Sequence, residues 1–456
     1  TMKTIFSFLI CTIFSFTMAA QLSPAISSWL QNTTETGRYY VSGNSTAINN
    51  NILVNCQKIE YSDDFVYVHT KGIPSYPTGP FQDGNPSQAS DQDAIYKMPL
   101  NPTPNTGNLD NTVGGNIGIF VNGVSLFDYR DGVGWNPNTN TLCGGPGNPP
   151  CPGGPMAQTD WSRDAIPAER SGFDCSKAHP AMGNYHHHQN PSAFKLDLEV
   201  VSDICNLYDA DGLYAINPEA HSPLIGYAYD GYPIYGAYGY ANADGTGGVV
   251  RINSGYQLRD IAVRETHADG ADVSDGPAIS STYILGYFRE DYEWVAHDTD
   301  DYLDVHNGRN CVTPEYPNGT YAYFATVDEN WNSTYPYVVG PTFYGNYARR
   351  DVNSVDETTT VYDGTVATKE LDLNSTDVTI FPNPTSDLIA VQINTLVKDD
   401  ITVDLMNASG QIVDSKTISK GSTIAYFDIQ TLYDGVYLIR LNNGIHSTTK
   451  KIVVER

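Results

Sequence analysis

Three consecutive histidines, His186, His187 and His188, stand between Tyr185 and Gln189. Neutral imidazole is a ligand for Zn, Cu, Fe or Ni, and its proton comes and goes near physiological pH. On a strand successive side chains alternate faces, so His186 and His188 share one face, ~7 Å apart along the backbone. Two imidazoles so placed can chelate one ion, and copper or zinc is the expected metal. His179, His221, His297 and His306 are the further candidate ligands. Carboxylates gather near the last two, at Asp298, Asp300, Asp301 and Asp304, and Asp304 joins the candidate set. Asp230 is a candidate ligand or an orienting carboxylate, set against the simpler reading that Asp230-Gly231 only makes a turn. A lone histidine beside Asp and Tyr is commonly just a hydrogen-bonded group, which is how His69, His267 and His446 are read. The paired spacing is what distinguishes His186 and His188.

The elements that must carry these residues are strands. With 40 Gly, 27 Pro and 32 Tyr, the chain disfavours long helices and favours pleated surfaces joined by many loops. Phe65–Val68 reads as a strand. Ile117–Val121 and Val124–Phe127 flank Asn122-Gly123, a hairpin signal. His221-Ser222-Pro223 opens a turn before a buried strand, Leu224–Ala228. Asp230-Gly231 then turns into a second aromatic strand, Tyr232–Gly236. Gly226, Gly231 and Gly236 permit close backbone approach. Six cysteines lie beyond Cys11: Cys56, Cys143, Cys151, Cys175, Cys205 and Cys311. In an oxidising compartment they read as up to three disulfides, with a small stapled loop across Cys143 and Cys151. The expected fold is mainly β, a loop-rich, disulfide-stapled central domain followed by a small antiparallel β-sandwich. The divisions are a signal segment 1–20, an N-terminal β-rich part 21–114, a central part 115–348, a linker 349–376 and a terminal unit 377–456.

Two stretches resemble known families. Gly183–His188, the block His221–Gly236, Leu303-Asp304, Asn307-Gly308-Arg309 and Pro314–Tyr323 resemble the YHYH family, named for a Tyr-His-Tyr-His strand. His187 here takes the place of the second tyrosine, and Ala322 stands where relatives often carry histidine. The resemblance implies a shared fold and no defined reaction. Phe381-Pro382-Asn383-Pro384-Thr385, Asn407–Val413, Leu432–Tyr437 and Lys450–Val454 resemble the type A C-terminal sorting domain of the type IX (Por) secretion system. That resemblance implies passage across the outer membrane of a Gram-negative bacterium by the type IX machinery. Removal of the tail and a cell-surface or extracellular destination follow from it.

Charge and composition close off other classes. A formal charge of −27 argues against nucleic acid as a partner. Lys3, the apolar run Ile5–Met18 and the small residues Ala19 and Ala20 have the order of a secretory signal. The run is too short for a span of ~20 residues, so an integral membrane protein is not expected. No Gly-x-Ser-x-Gly elbow, phosphate loop, dinucleotide fingerprint or His-Glu-x-x-His is present. Glu290, Asp291 and Glu293 could pair as glycosidase carboxylates, but such pairs arise by chance among 52 acids. Asp209–Gly212 and Asn242–Gly245 partly resemble calcium loops without the distal Glu, and read as turns, with calcium a further candidate ion. Three functions fit: surface metal binding, an extracellular metalloenzyme of hydrolytic or oxidative type, and a glycan- or peptide-binding module with structural histidines.

Overall fold

The computed structural model describes residues 22–44, 46–81, 88–112, 114–145, 147–152, 157–192, 212–347, 351–363, 378–393, 400–419, 422–443 and 447–456. The signal segment with Cys11, Cys205, Asp209–Asp211, residues 364–377 and His446 lie outside them.

An eight-stranded sheet carries the histidines. Its order is Ala178–Ala181, Asn184–His187, Ser125–Phe127, Asn116–Phe120, Leu224–Ala228, Pro233–Tyr235, Thr320–Phe324 and Gly308–Cys311. The expected Asn-Gly hairpin is present, with Gly123 at φ +78. The Asp230-Gly231 turn likewise joins Leu224–Ala228 to Pro233–Tyr235, with Gly231 at φ +88. Gly226 has to be glycine for a different reason. A Cβ there would lie 2.6 Å from the Ile119 carbonyl oxygen of the adjacent strand.

A second sheet, wholly antiparallel, runs Asp351–Val352, Ala94–Pro99, Phe65–Thr70, Cys56–Tyr61, Thr360–Tyr362. Its Ile59, Val66, Val68 and Met98 share one apolar core with Ile117, Ile119, Phe120 and Tyr227 of the first sheet. The N-terminal part and the central part are therefore packed as one body. Residues 351–363, inside the stretch read as a linker, add a strand to each edge of this sheet. The terminal unit is the expected sandwich. Val378–Phe381, Leu388–Ile393 and Ile424–Asp428 form one sheet; Ile412–Ile418, Ile401–Asn407, Gly435–Asn442 and Ser447–Val454 form the other. Ile389, Val391, Val403, Leu405, Phe427 and Ile439 are buried between them. No helix among the described residues is long and apolar enough to cross a membrane.

Cys143 and Cys151 are bonded and close the small loop. Cys175 is also disulfide-bonded. Cys56 and Cys311 are free and buried, so the disulfides number fewer than the three that six cysteines allow. Each lies on a strand inside the apolar core, where a thiol behaves as a small hydrophobe.

The described tyrosines of the main domain are buried or half-buried. Six donate their phenol to a carboxylate: Tyr67 to Glu357, Tyr185 to Asp174 (2.9 Å), Tyr235 to Glu315 (2.8 Å), Tyr321 to Asp304 (2.9 Å), Tyr323 to Asp230 (2.6 Å) and Tyr337 to Asp164 (2.6 Å). An acceptor taken out of water must be met by such donors or it costs stability. Tyr323→Phe, which leaves Asp230 with two backbone N–H donors, should lower stability by about 1–3 kcal/mol in denaturant titration.

Candidate metal centre

The hairpin Ala178–Ala181/Asn184–His187 sets His179 directly opposite His186. Strand alternation, continued one residue past the strand, brings His188 to the same face. One ring nitrogen from each of His179, His186 and His188 lies within 4.8 Å of the others, and all three rings are buried. Among the described residues this is the group of His, Cys, Asp and Glu that meets the spacing for an ion.

Hydrogen bonds fix which nitrogen faces inward. His186 Nδ1 donates to the Asn184 carbonyl (2.9 Å) and His188 Nδ1 to the Asp128 carbonyl (2.6 Å). A carbonyl can only accept, so each Nδ1 carries the proton and each neutral ring is left with a lone pair on Nε2. Those two Nε2 atoms are 3.1 Å apart. Two lone pairs at that distance repel unless a cation stands between them. Ligands at roughly 2.0–2.1 Å in a tetrahedral zinc site are about 3.3 Å from one another, so the separation suits a shared ion. Burial holds both imidazoles below their usual pKa, with the neighbouring histidines also lowering His186, and so favours the neutral, ligating form.

A carboxylate that sequence spacing did not indicate borders the group. Glu169 Oε2 lies 3.3 Å from His179 Nε2 and 3.6 Å from His188 Nε2. It ends the short helix Ala165–Glu169, whose N-cap is Asp164, donated to by Ile166 N (2.9 Å) and by Tyr337. Burial pushes the Glu169 carboxyl up, but the hydrogen bond with His179, helped by the neighbouring imidazoles and Arg163, outweighs it and holds the group below its usual pKa. Asp164 ahead of Ala165-Ile166-Pro167 is a helix-start signal, yet nothing in the sequence ties that helix to the histidines. Phe127 stacks on His186 at 3.8 Å and Phe173 meets His179 edge-on at 4.9 Å, forming an aromatic wall.

His187 points the other way. Its Nδ1 donates to the Lys177 carbonyl (3.2 Å) and its Nε2 accepts from Tyr76 Oη (2.9 Å). Burial pushes it down to about 3. It is a core group satisfied in its neutral state.

The remaining candidates lie elsewhere. His221 stands against Tyr235, Tyr240 and Phe324. His297 stacks on Tyr302 near the surface, at 3.7 Å. His306 bonds Thr342 (2.6 Å) beside Asp304, which is occupied by Tyr321 and by backbone N–H groups. Asp230 accepts from Tyr323, Gly345 and Tyr232, and burial raises it to about 6; it holds a turn. The physical reason is sheet order. The strand after His306 forms the edge opposite the His179 strand, and Leu224–Ala228 is three strands from the His186 strand. Asn242–Gly245 is a turn in which Asp244 binds Thr246. Asp291 is paired with Arg264, both fully buried, which removes it from a glycosidase pair.

A family model described as YHYH protein matches residues 95–337. The chain belongs to the YHYH protein family. The name motif falls on the strand Asn184–His187 and the residue after it, His188, and the matched span includes His179 and Glu169. A second model, described as a secretion system C-terminal sorting domain, matches residues 379–455. This tail implies handling by the type IX system and delivery to the cell surface or the extracellular space. No curated protein matches the chain.

The opposed roles of neighbouring histidines are testable. In the metal-free protein, ¹⁵N NMR should find His186 and His188 protonated at Nδ1 and resisting further protonation until below the ordinary imidazole range, His186 the more strongly. His187→Ala should cost ~2–4 kcal/mol through the cavity and the orphaned Tyr76 phenol, without moving those resonances to the other tautomer.

Proposed function

We propose that this YHYH protein is an exported metal-binding protein in which His179, His186 and His188 hold one copper or zinc ion. The observation that carries the reading is the 3.1 Å approach of two Nε2 atoms whose rings have each committed Nδ1 to a backbone carbonyl. The donor set is nitrogen with one carboxylate oxygen and no thiolate, which suits zinc or copper(II) above softer preferences. The protein leaves the cytoplasm by the segment 1–20, crosses a Gram-negative outer membrane through the type IX machinery and loses its tail. The mature protein is residues 21–375.

A metalloenzyme is the second reading, and Glu169 is what favours it. Its side chain is 24% exposed, so it borders the three buried rings on a side that solvent reaches. There it would either close the shell as a fourth ligand or leave one position to water and act on that water's proton. Glycan or peptide binding through a tyrosine-rich surface finds less support, because the described tyrosines of the main domain are buried or half-buried.

Elemental analysis of untagged mature protein should find about one copper or zinc per chain. His186→Ala/His188→Ala should lose it while circular dichroism is unchanged. Glu169→Gln separates the two readings: lowered metal content marks a fourth ligand, and retained metal marks an open position. Protein that stays metal-free after incubation with both ions would refute the proposal.

A further inference from the structure

The two outer faces of the terminal sandwich differ. Side chains alternate along Leu388–Ile393 and Ile424–Asp428, and Ile389, Val391, Ala425 and Phe427 point into the sandwich core. Leu388, Ala390, Gln392, Ile424 and Tyr426 therefore point out of it. Outward positions of a sandwich normally meet water and are polar. The four-stranded sheet obeys this, with Asp404 and Arg440 paired across neighbouring strands (2.6 Å). The three-stranded sheet does not. Its outward residues are mostly apolar, yet Ala390, Gln392, Ile424 and Tyr426 are only 4%, 6%, 6% and 8% exposed.

The main domain covers them. Ala390, Ile424 and Tyr426 form one apolar cluster with Ala215, and Phe381 and Leu388 pack at its margin. Ala215 is part of a fixed segment: the Leu213 N–H donates to the Pro191 carbonyl (2.6 Å) and the Tyr214 hydroxyl to Asn190 (2.5 Å). The fit between the two surfaces is incomplete. A cavity of about 220 Å³ separates Leu30, Leu213 and Ile225 from Gln392 and Thr423. A second, of about 240 Å³, separates Ala215, His221 and Glu315 from Thr379, Phe381 and Gln392. Protein interiors leave few voids larger than a water molecule, so this seam is a contact between two bodies, each with its own core.

A small, loosely filled contact is weak between free molecules. A covalent tether makes it intramolecular and raises the effective concentration of one face before the other. We propose that the sorting domain is a tethered lid. Its three-stranded sheet sits on the main-domain face around Ala215 and closes a cleft lined by His221 and by Glu315, which accepts from the Tyr235 hydroxyl (2.8 Å). Cutting the chain between the two bodies releases the lid and opens the cleft. That this happens on export rests on the reading above that the tail is lost; the docking itself does not. Until then the lid keeps an apolar patch from other molecules.

The test uses the untagged full chain with a specific protease site placed within residues 364–377. Hydroxyl-radical footprinting reads side-chain exposure before and after the cut. Tyr426 and Leu213 should be protected in the uncut chain and react several-fold faster afterwards, and the two pieces should separate on gel filtration. Tyr426→Asp and, from the other side of the seam, Ala215→Arg should open the uncut chain, raising the reactivity of Leu213 several-fold. Circular dichroism should be unchanged, since Tyr426 lies outside the sandwich core. Equal reactivity of Tyr426 before and after the cut would overturn the proposal, as would pieces that stay together once cut. So would both variants leaving Leu213 as protected as in the wild type. None of these readouts involves a metal, so this proposal and the metal reading can fail independently.

Discussion

Two backbone carbonyls decide what the histidine group can be. By accepting the Nδ1–H of His186 and of His188, Asn184 and Asp128 turn both Nε2 lone pairs into one space only 3.1 Å across. Neither neutral ring has a proton to put there, and burial makes acquiring one unfavourable. The Asp128 carbonyl is itself held in place. It follows the Asn-Gly hairpin by one strand, and its carboxylate is fully buried under Arg130. Much of the surrounding fold serves to keep that carbonyl and the His179/His186 register where they are.

The tyrosines supply the other half of the mechanics. An acidic chain that buries carboxylates needs donors without adding positive charge, and a phenol is such a donor with a large apolar body. Tyr337 illustrates how this reaches the site. It donates to Asp164, Asp164 caps the helix Ala165–Glu169, and the helix delivers Glu169 to His179. Tyr321 and Tyr323 do the same for the loops at Asp304 and Asp230, far along the sheet from the histidines. Carboxylates that look like ligands in the sequence are thus anchors for loops.

What could be read in advance was whatever depends on residues near one another in sequence. Alternation along Tyr185–His188 separated the two site histidines from His187, and Asn122-Gly123 marked its hairpin. The terminal sandwich was legible from alternating strands and from its four short motifs. Strand order was not legible, because non-local pairing leaves no local trace. The parallel pairing of His186 with Ser125 and the distance of His221 and His306 from it follow from that order. Glu169 was missed for the same reason: its helix is local, but its neighbour His179 comes from the next hairpin. That Cys56 and Cys311 stay free was not legible, because an even cysteine count says nothing about whether two thiols meet.

X-ray absorption at the edge of the bound metal tests the central claim most directly, because it reports the donor atoms themselves. For zinc the account predicts imidazole scattering from three rings with nitrogen at roughly 2.0–2.1 Å, joined by one oxygen neighbour. The three-ring signature should be lost in His186→Ala/His188→Ala. A shell of oxygen alone, a sulfur neighbour near ~2.3 Å, or a spectrum untouched by that double substitution would contradict it.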